Sequence, residues 1–175
     1  MPTPIGHLLA GTAIAWSASS TPAPGTAGRW LNWRVTILCA LLAALPDLDL
    51  LYQPIHRTVT HSVTSAAFVF IVASAVTGWV TGRQALRLGL LCGAAWGSHT
   101  LLDWLGADFN PPRGIQALWP FSDRWFISDW DLFLRVERRQ PLSSATVIAN
   151  LKAAGREIAV LGPILALLWW RRRSR

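Results

Sequence analysis

The chain has 175 residues, of which 52% are hydrophobic and 14% charged, against roughly 25% charged in ordinary soluble domains. Its formal net charge is +7, carried by arginine with a single lysine beside 11 tryptophans. That balance excludes a disordered chain and a nucleic-acid module with a solvated basic face, and argues against a free-standing soluble enzyme. An arginine excess in so apolar a chain is expected to orient it in a membrane.

Met1 to Gly6 carry no Lys or Arg, so the first apolar segment is expected to stay rather than leave as a cleaved signal. That segment runs from about Pro4 to Ser19, contains His7, and is expected to break at Pro22, Pro24, Gly25 and Gly28. A second runs from about Trp30 to Leu45 and stops at Pro46, a helix terminator. The third, Ser62 to Gly82, is 21 residues without a charge, enough to cross a hydrocarbon core of ~30 Å. Arg83 and Arg87 flank the turn that follows. The fourth, about Leu86 to Leu105, is apolar until His99 and Asp103. Cys39 and Cys92 lie inside apolar stretches and read as small core residues.

Between Gly106 and Leu142 the texture changes. Asn110-Pro111-Pro112-Arg113-Gly114 predicts a loop, and Leu118-Trp119-Pro120-Phe121 cannot be regular helix across its proline. Trp125, Phe126, Trp130 and Phe133 follow among Asp123, Asp129 and Asp131, a mixture suited to headgroup level. Residues 143 to 156 predict an amphipathic helix capped by Ser143-Ser144. A weaker fifth apolar segment begins near Glu157, carries Gly162-Pro163, and ends in Trp169-Trp170 before the basic tail 171–175. No strand alternation is evident. The expected fold class is all-α: one integral membrane bundle of about four to five helices over 1–175, with an aromatic interfacial loop at 106–142. Segments one and two are short, so tilted, half-inserted or protein-buried placements all remain open.

If the helices run up and down, residues 20–34, the turn 83–87 and the tail share one side, with eight basic residues and no acid. The other side receives the remaining eight basics and all nine acids. Short basic turns decide orientation, so the tail is expected in the cytoplasm and the acid-rich end outside, in the periplasm of a bacterium. All four histidines fall at that acid-rich end: His7, then His56 and His61 in His56-Arg57-Thr58-Val59-Thr60-His61, and His99. Asp47 and Asp49 join them after Pro46, and Asp103 lies four residues beyond His99 on the same helix face. An imidazole and a carboxylate one turn apart can ligate one zinc-type ion, with bonds of ~2.0–2.2 Å. Ionisable groups at membrane depth are costly, and a divalent cation among them would offset that cost.

Gly6-His7, Pro46-Asp47-Leu48-Asp49, His56-Arg57-x-x-Thr60-His61-Ser62, His99-x-x-x-Asp103 and Leu118-Trp119-Pro120-Phe121-Ser122 together resemble the bacterial membrane-bound, metal-dependent hydrolase family of the LexA-binding, inner membrane-associated type. That family is similar in turn to zinc-dependent phospholipase C and the P1-type nucleases, which collect three metals from helix-borne His and Asp. The resemblance implies a main site of Asp47 or Asp49 with His61, His99 and Asp103. It further implies a second site in which His7 shares Asp103. The later histidines of those enzymes have no counterpart, since no His follows His99. One or two zinc-type ions are therefore expected, with Asp129 or Asp131 as substitutes or bases.

The expectation is a hydrolase of a phosphoester in a lipid or envelope precursor. Asp47 or Asp49 would orient or deprotonate water, and Arg57 would hold phosphate as a planar fork. Membrane lipid and a small-molecule or lipid phosphoester are the expected partners, not nucleic acid, and a protein partner stays open. The rival expectation is a non-catalytic membrane scaffold or partner-binding protein that keeps the polar cluster for folding.

Overall fold

Proline and hydroxyl caps set the starts of three helices and the end of a fourth. A computed structural model describes residues 1–18, 27–52, 54, 56–138 and 140–174, with 27–32 as backbone alone. Pro22, Pro24, Gly25 and Arg175 lie outside the described residues. Helix α1 spans Pro4–Ser17: the Thr3 hydroxyl accepts from the Ile5 N–H, and Pro4 occupies a first-turn position that needs no donor. Helix α2 spans Ala27–Ala44, so Gly28 sits inside its first turn rather than in the expected break. Pro46 ends α2, and the chain tightens into a 3-10 helix over Leu45–Leu51. Helix α3 spans Val63–Thr81 between the Ser62 cap and Gly82, whose φ of 62° suits a residue without Cβ. Helix α4 follows at Ala85–Leu105.

The expected amphipathic stretch and the weak fifth segment are a single helix, α5, over Ser144–Arg173. It starts at the Ser143 cap and runs through Pro163. A junction at Glu157 was expected from the change in polarity; in the fold that residue turns inward and the helix continues. Five α-helices and no named strand are present among the described residues. The loop 106–142 has two isolated bridges, Gly106 with Phe133 and Ile115 with Phe126. Ile115 and Phe133 are its buried anchors.

Helix α3 lies along α4, α1 lies on α2, α4 and α5, and α2 also packs on α4. Close approach of α3 and α4 depends on Gly93, where an added Cβ would sit 2.8 Å from the Phe70 Cβ. Among the described residues, α3 alone is long and apolar enough to cross a membrane by length and composition. The up-and-down arrangement holds at the basic end: an Arg87 N–H donates to the Ala18 carbonyl, and the Arg172 guanidinium lies 5.3 Å from the Trp16 ring. The start of α1, the end of α2, the approach to α3 and the end of α4 therefore meet at the opposite end.

Candidate metal centre

Four chain segments deliver side chains to that meeting point. His7 comes from the first turns of α1, Asp47 from the 3-10 helix, His61 from the loop before α3, and His99 and Asp103 from α4. His7, His61 and His99 are completely buried and Asp103 nearly so. The Nε2 atoms of His61 and His99 are 2.9 Å apart, and Asp103 Oδ2 lies 3.2 Å from each. Asp47 Oδ1 stands 3.9 and 3.8 Å from the same two nitrogens. Four donors around a tetrahedral zinc, with bonds near 2.0 Å, would be about 3.3 Å apart. The four atoms bracket that spacing.

The outer nitrogens of the two rings decide what the inner ones offer. His99 Nδ1 faces the Ala43 carbonyl at 2.8 Å, so it carries the proton and donates it. His61 Nδ1 faces Asp49 Oδ2 at 3.1 Å and donates there in the same way. With neutral rings, two Nε2 lone pairs then meet beside a carboxylate with no proton between them. Such an arrangement could hold a cation. Carboxylate and carbonyl partners on the far nitrogen are also what fixes metal-binding imidazoles in their tautomer.

A second position adjoins the first. His7 Nε2 is 3.6 Å from Asp103 Oδ1 and 4.0 Å from Asp47 Oδ2, the oxygens turned away from His61 and His99. Each of the two carboxylates thus presents one oxygen to each position, and the His7 and His99 rings stack at 3.8 Å. Neither His7 nitrogen, neither Asp103 oxygen, nor Asp47 Oδ1 has a hydrogen-bond partner, although all are buried atoms. The large majority of buried side-chain polar atoms are paired. A cation held among these five orphan atoms would satisfy them. The groups His61-His99-Asp103 and His7-Asp47-His99 each bring three ligand atoms close enough to hold one metal ion.

Asp49 and His56 sit alongside. Asp49 Oδ1 is 2.6 Å from His56 Nδ1, and Asp49 Oδ2 accepts the Thr60 hydroxyl at 2.5 Å and the Arg57 N–H at 3.3 Å. Asp49, His56 and His61 form a third group able to hold an ion. The geometry also suits Asp49 as the carboxylate that orients His61. Burial pushes the Asp49 carboxyl up, but bonds from His56, His61 and Thr60 hold it well below the usual carboxylate range. Burial likewise opposes charge on His61, yet the Asp103, Asp47 and Asp49 carboxylates raise it well above an ordinary histidine. For Asp47, burial raises and the neighbouring His61 and His99 lower, with a net shift downward.

Arg57 is not a free fork. Its guanidinium pairs with the buried Asp108 and lies 5.5 Å from the Trp125 ring, and its backbone adopts φ 65°. Asp129 and Asp131 join none of the three groups; Asp129 pairs with Arg113 on the surface. Two acids have roles that the sequence pattern does not assign. Asp108 gathers the Arg57 guanidinium and the Gly114 and Asn110 N–H groups. Glu157 of α5 is fully buried and takes the Thr3 N–H and hydroxyl, each at 2.5 Å, which pins the start of α1 one turn before His7. A lone acid inside an apolar helical stretch was the available signal for Glu157. Asp108, in a polar loop, carried none.

A helical chain with a buried His/Asp centre at one end of its bundle and apolar side chains over its flanks defines a class, the helical membrane proteins with an internal metal-type site. The chain belongs to the YdjM inner membrane protein family, whose profile matches residues 1–174, and its place is the inner membrane. It is similar to the Inner membrane protein YbcI of Escherichia coli (strain K12), at 28% identity over 194 residues, covering 99% of this chain and 100% of that protein. No solved structure matches the chain, so its likeness to zinc-dependent phospholipase C and P1-type nucleases has no structural support.

Proposed function

We infer that the protein is a multi-pass inner-membrane hydrolase that uses one or two zinc-type ions to cleave a phosphoester of a lipid or envelope precursor. The observation that carries this reading is the set of buried, partnerless ligand atoms of His7, Asp47 and Asp103 around the facing Nε2 atoms of His61 and His99. The resemblance to membrane-bound metal-dependent hydrolases points the same way. An ion held there would lower the pKa of water toward neutrality and polarise a phosphoryl oxygen.

The chain's own groups then have separable tasks. Asp103 and Asp47 turn one oxygen to each position. Asp49 keeps the His61 Nδ1 proton in place and so presents its Nε2 inward. Asp47 retains 13% side-chain exposure while the other members of the centre have none, which makes it the member able to meet and orient incoming water. Arg57, steadied by Asp108, lines a pocket beside His56. Exposed apolar side chains on every helix, such as Ile5, Leu41, Phe68, Leu90 and Ile164, support lipid contact all round. The arginine-rich end supports a cytoplasmic C-terminus and a centre facing the periplasm.

Purified protein in detergent, loaded with zinc, is expected to hydrolyse a member of a phosphomonoester and phosphodiester panel, and Asp47→Asn to cut that turnover sharply while His61, His99 and Asp103 still hold an ion. A metal-loaded protein inert across soluble and lipid phosphoesters would favour the scaffold reading instead. The near-complete closure of the centre by protein is the one feature that suits that alternative.

A further inference from the structure

Next to the centre, on the far side of Asp49, an open pocket of about 300 Å³ is lined by His56, Arg57, Asp108, Arg135, Glu137 and Arg138, among others. Its charges do not cancel. Asp108 is taken by Arg57 and two backbone N–H groups. Glu137 is taken by Arg135 at 2.6 Å and the Arg138 N–H at 3.1 Å. Among the described residues no carboxylate pairs with the Arg138 guanidinium. Three guanidinium groups thus line one cavity with two carboxylates, both already satisfied. Arg57 is fixed by its salt bridge and by the Trp125 face, and Arg135 by Glu137 and Asn110, so two of the three cations are preorganised.

The pocket communicates with the centre through one side chain. The Asp49 carboxylate touches His56 and the Arg57 N–H on the pocket side and His61 on the metal side. A volume near the lower end of the usual ~300–1,000 Å³ for ligand sites suits a headgroup rather than an acyl chain. Leu51, Tyr52 and Phe109 stand strongly exposed within two residues in sequence of the lining residues Leu50 and Asp108.

We propose that this pocket binds the anionic end of a phosphate ester of a small polyol, with the Arg138 and Arg135 guanidinium groups as its ligands. This deepens the functional reading above and rests on it for the step at the centre; anion capture itself needs no metal. The same chemistry has two sources, a lipid headgroup and a soluble phosphoester.

The test is calorimetric titration of glycerol 1-phosphate into full-length protein in nonionic detergent, both zinc-loaded and chelator-stripped, with native mass spectrometry of retained phosphatidylglycerol against phosphatidylcholine. Saturable binding that persists after stripping is expected, weakened about tenfold by Arg138→Ala and largely restored in Arg138→Lys. Arg83→Ala, in the turn at the opposite end, should leave it unchanged. Retention of phosphatidylglycerol with weak glycerol phosphate binding identifies the lipid source, and the reverse the soluble one; each supports the pocket. Absence of both, or Arg138→Ala binding as tightly as wild type, overturns it. Anion binding without any metal uptake would sink the hydrolase reading and leave the pocket standing, while metal uptake without anion binding would do the opposite.

Discussion

Helices α3 and α4 are neighbours of similar length, 19 and 21 residues, and both read as apolar spans. The fold treats them oppositely. No residue of α3 is buried, and Phe68, Ile71, Trp79 and Val80 face outward. Helix α4 buries nine residues, most of them small or polar, including Gly89, Gly93, Ser98, His99 and Asp103. Hydrophobicity alone marks the helix that faces outward. The inner helix is marked by its departures from hydrophobicity: glycines that admit a neighbour closely, and ionisable groups tolerable only when something else shares their site.

Substitutions on the two helices should separate accordingly. The largest effect is expected from Asp103→Ala. It removes the carboxylate shared by both metal positions and leaves three imidazoles facing one another. A loss of about 3–5 kcal/mol is expected from breaking a buried charged group's pairing, with metal content falling toward none. Thermal denaturation in detergent and elemental analysis check both. Gly93→Leu comes next: its side chain must displace Phe70, and overpacking of this kind costs roughly 1–3 kcal/mol. A melting point equal to wild type would mean that α3 and α4 are not in close contact.

Glu157→Ala asks whether the same rule extends to α5. Two buried donors of Thr3 lose their acceptor, at about 1–3 kcal/mol, and the start of α1 loosens. The ion nearest His7 should be lost before the one at His61 and His99, which stepwise chelation would resolve. The smallest effect belongs to α3: Phe68→Leu should change stability by no more than about 0.5 kcal/mol. A large loss there would show that the outward face of α3 is covered by protein.

Much of this was legible in the chain. The span of α3 follows from an uncharged run bounded by Ser62, Gly82 and Arg83, that of α4 from the apolar stretch between Arg87 and His99, and the turn after α2 from Pro46. The ordered set His7, Asp47, His61, His99 and Asp103 could be assembled because helices that run up and down put alternate connections at the same end. What a sequence cannot supply is which ring nitrogen faces which oxygen. Asp47 and Asp49 were therefore interchangeable until the fold turned one inward and the other onto His61 and His56. The continuity of α5 was hidden by a polarity change at Glu157 that reflects burial and not a break. Arg57 looked like a phosphate ligand because its partner, Asp108, comes 51 residues later in an irregular loop.

The central claim is that imidazoles and carboxylates from four segments close on a shared cation. Elemental mass spectrometry of full-length, detergent-purified protein, after zinc exposure and desalting, measures it directly. The account predicts one or two zinc-type ions per chain in the wild type and a stoichiometric deficit in His99→Ala. A wild-type protein that retains no divalent metal, or a His99→Ala variant that retains all of it, would contradict the account.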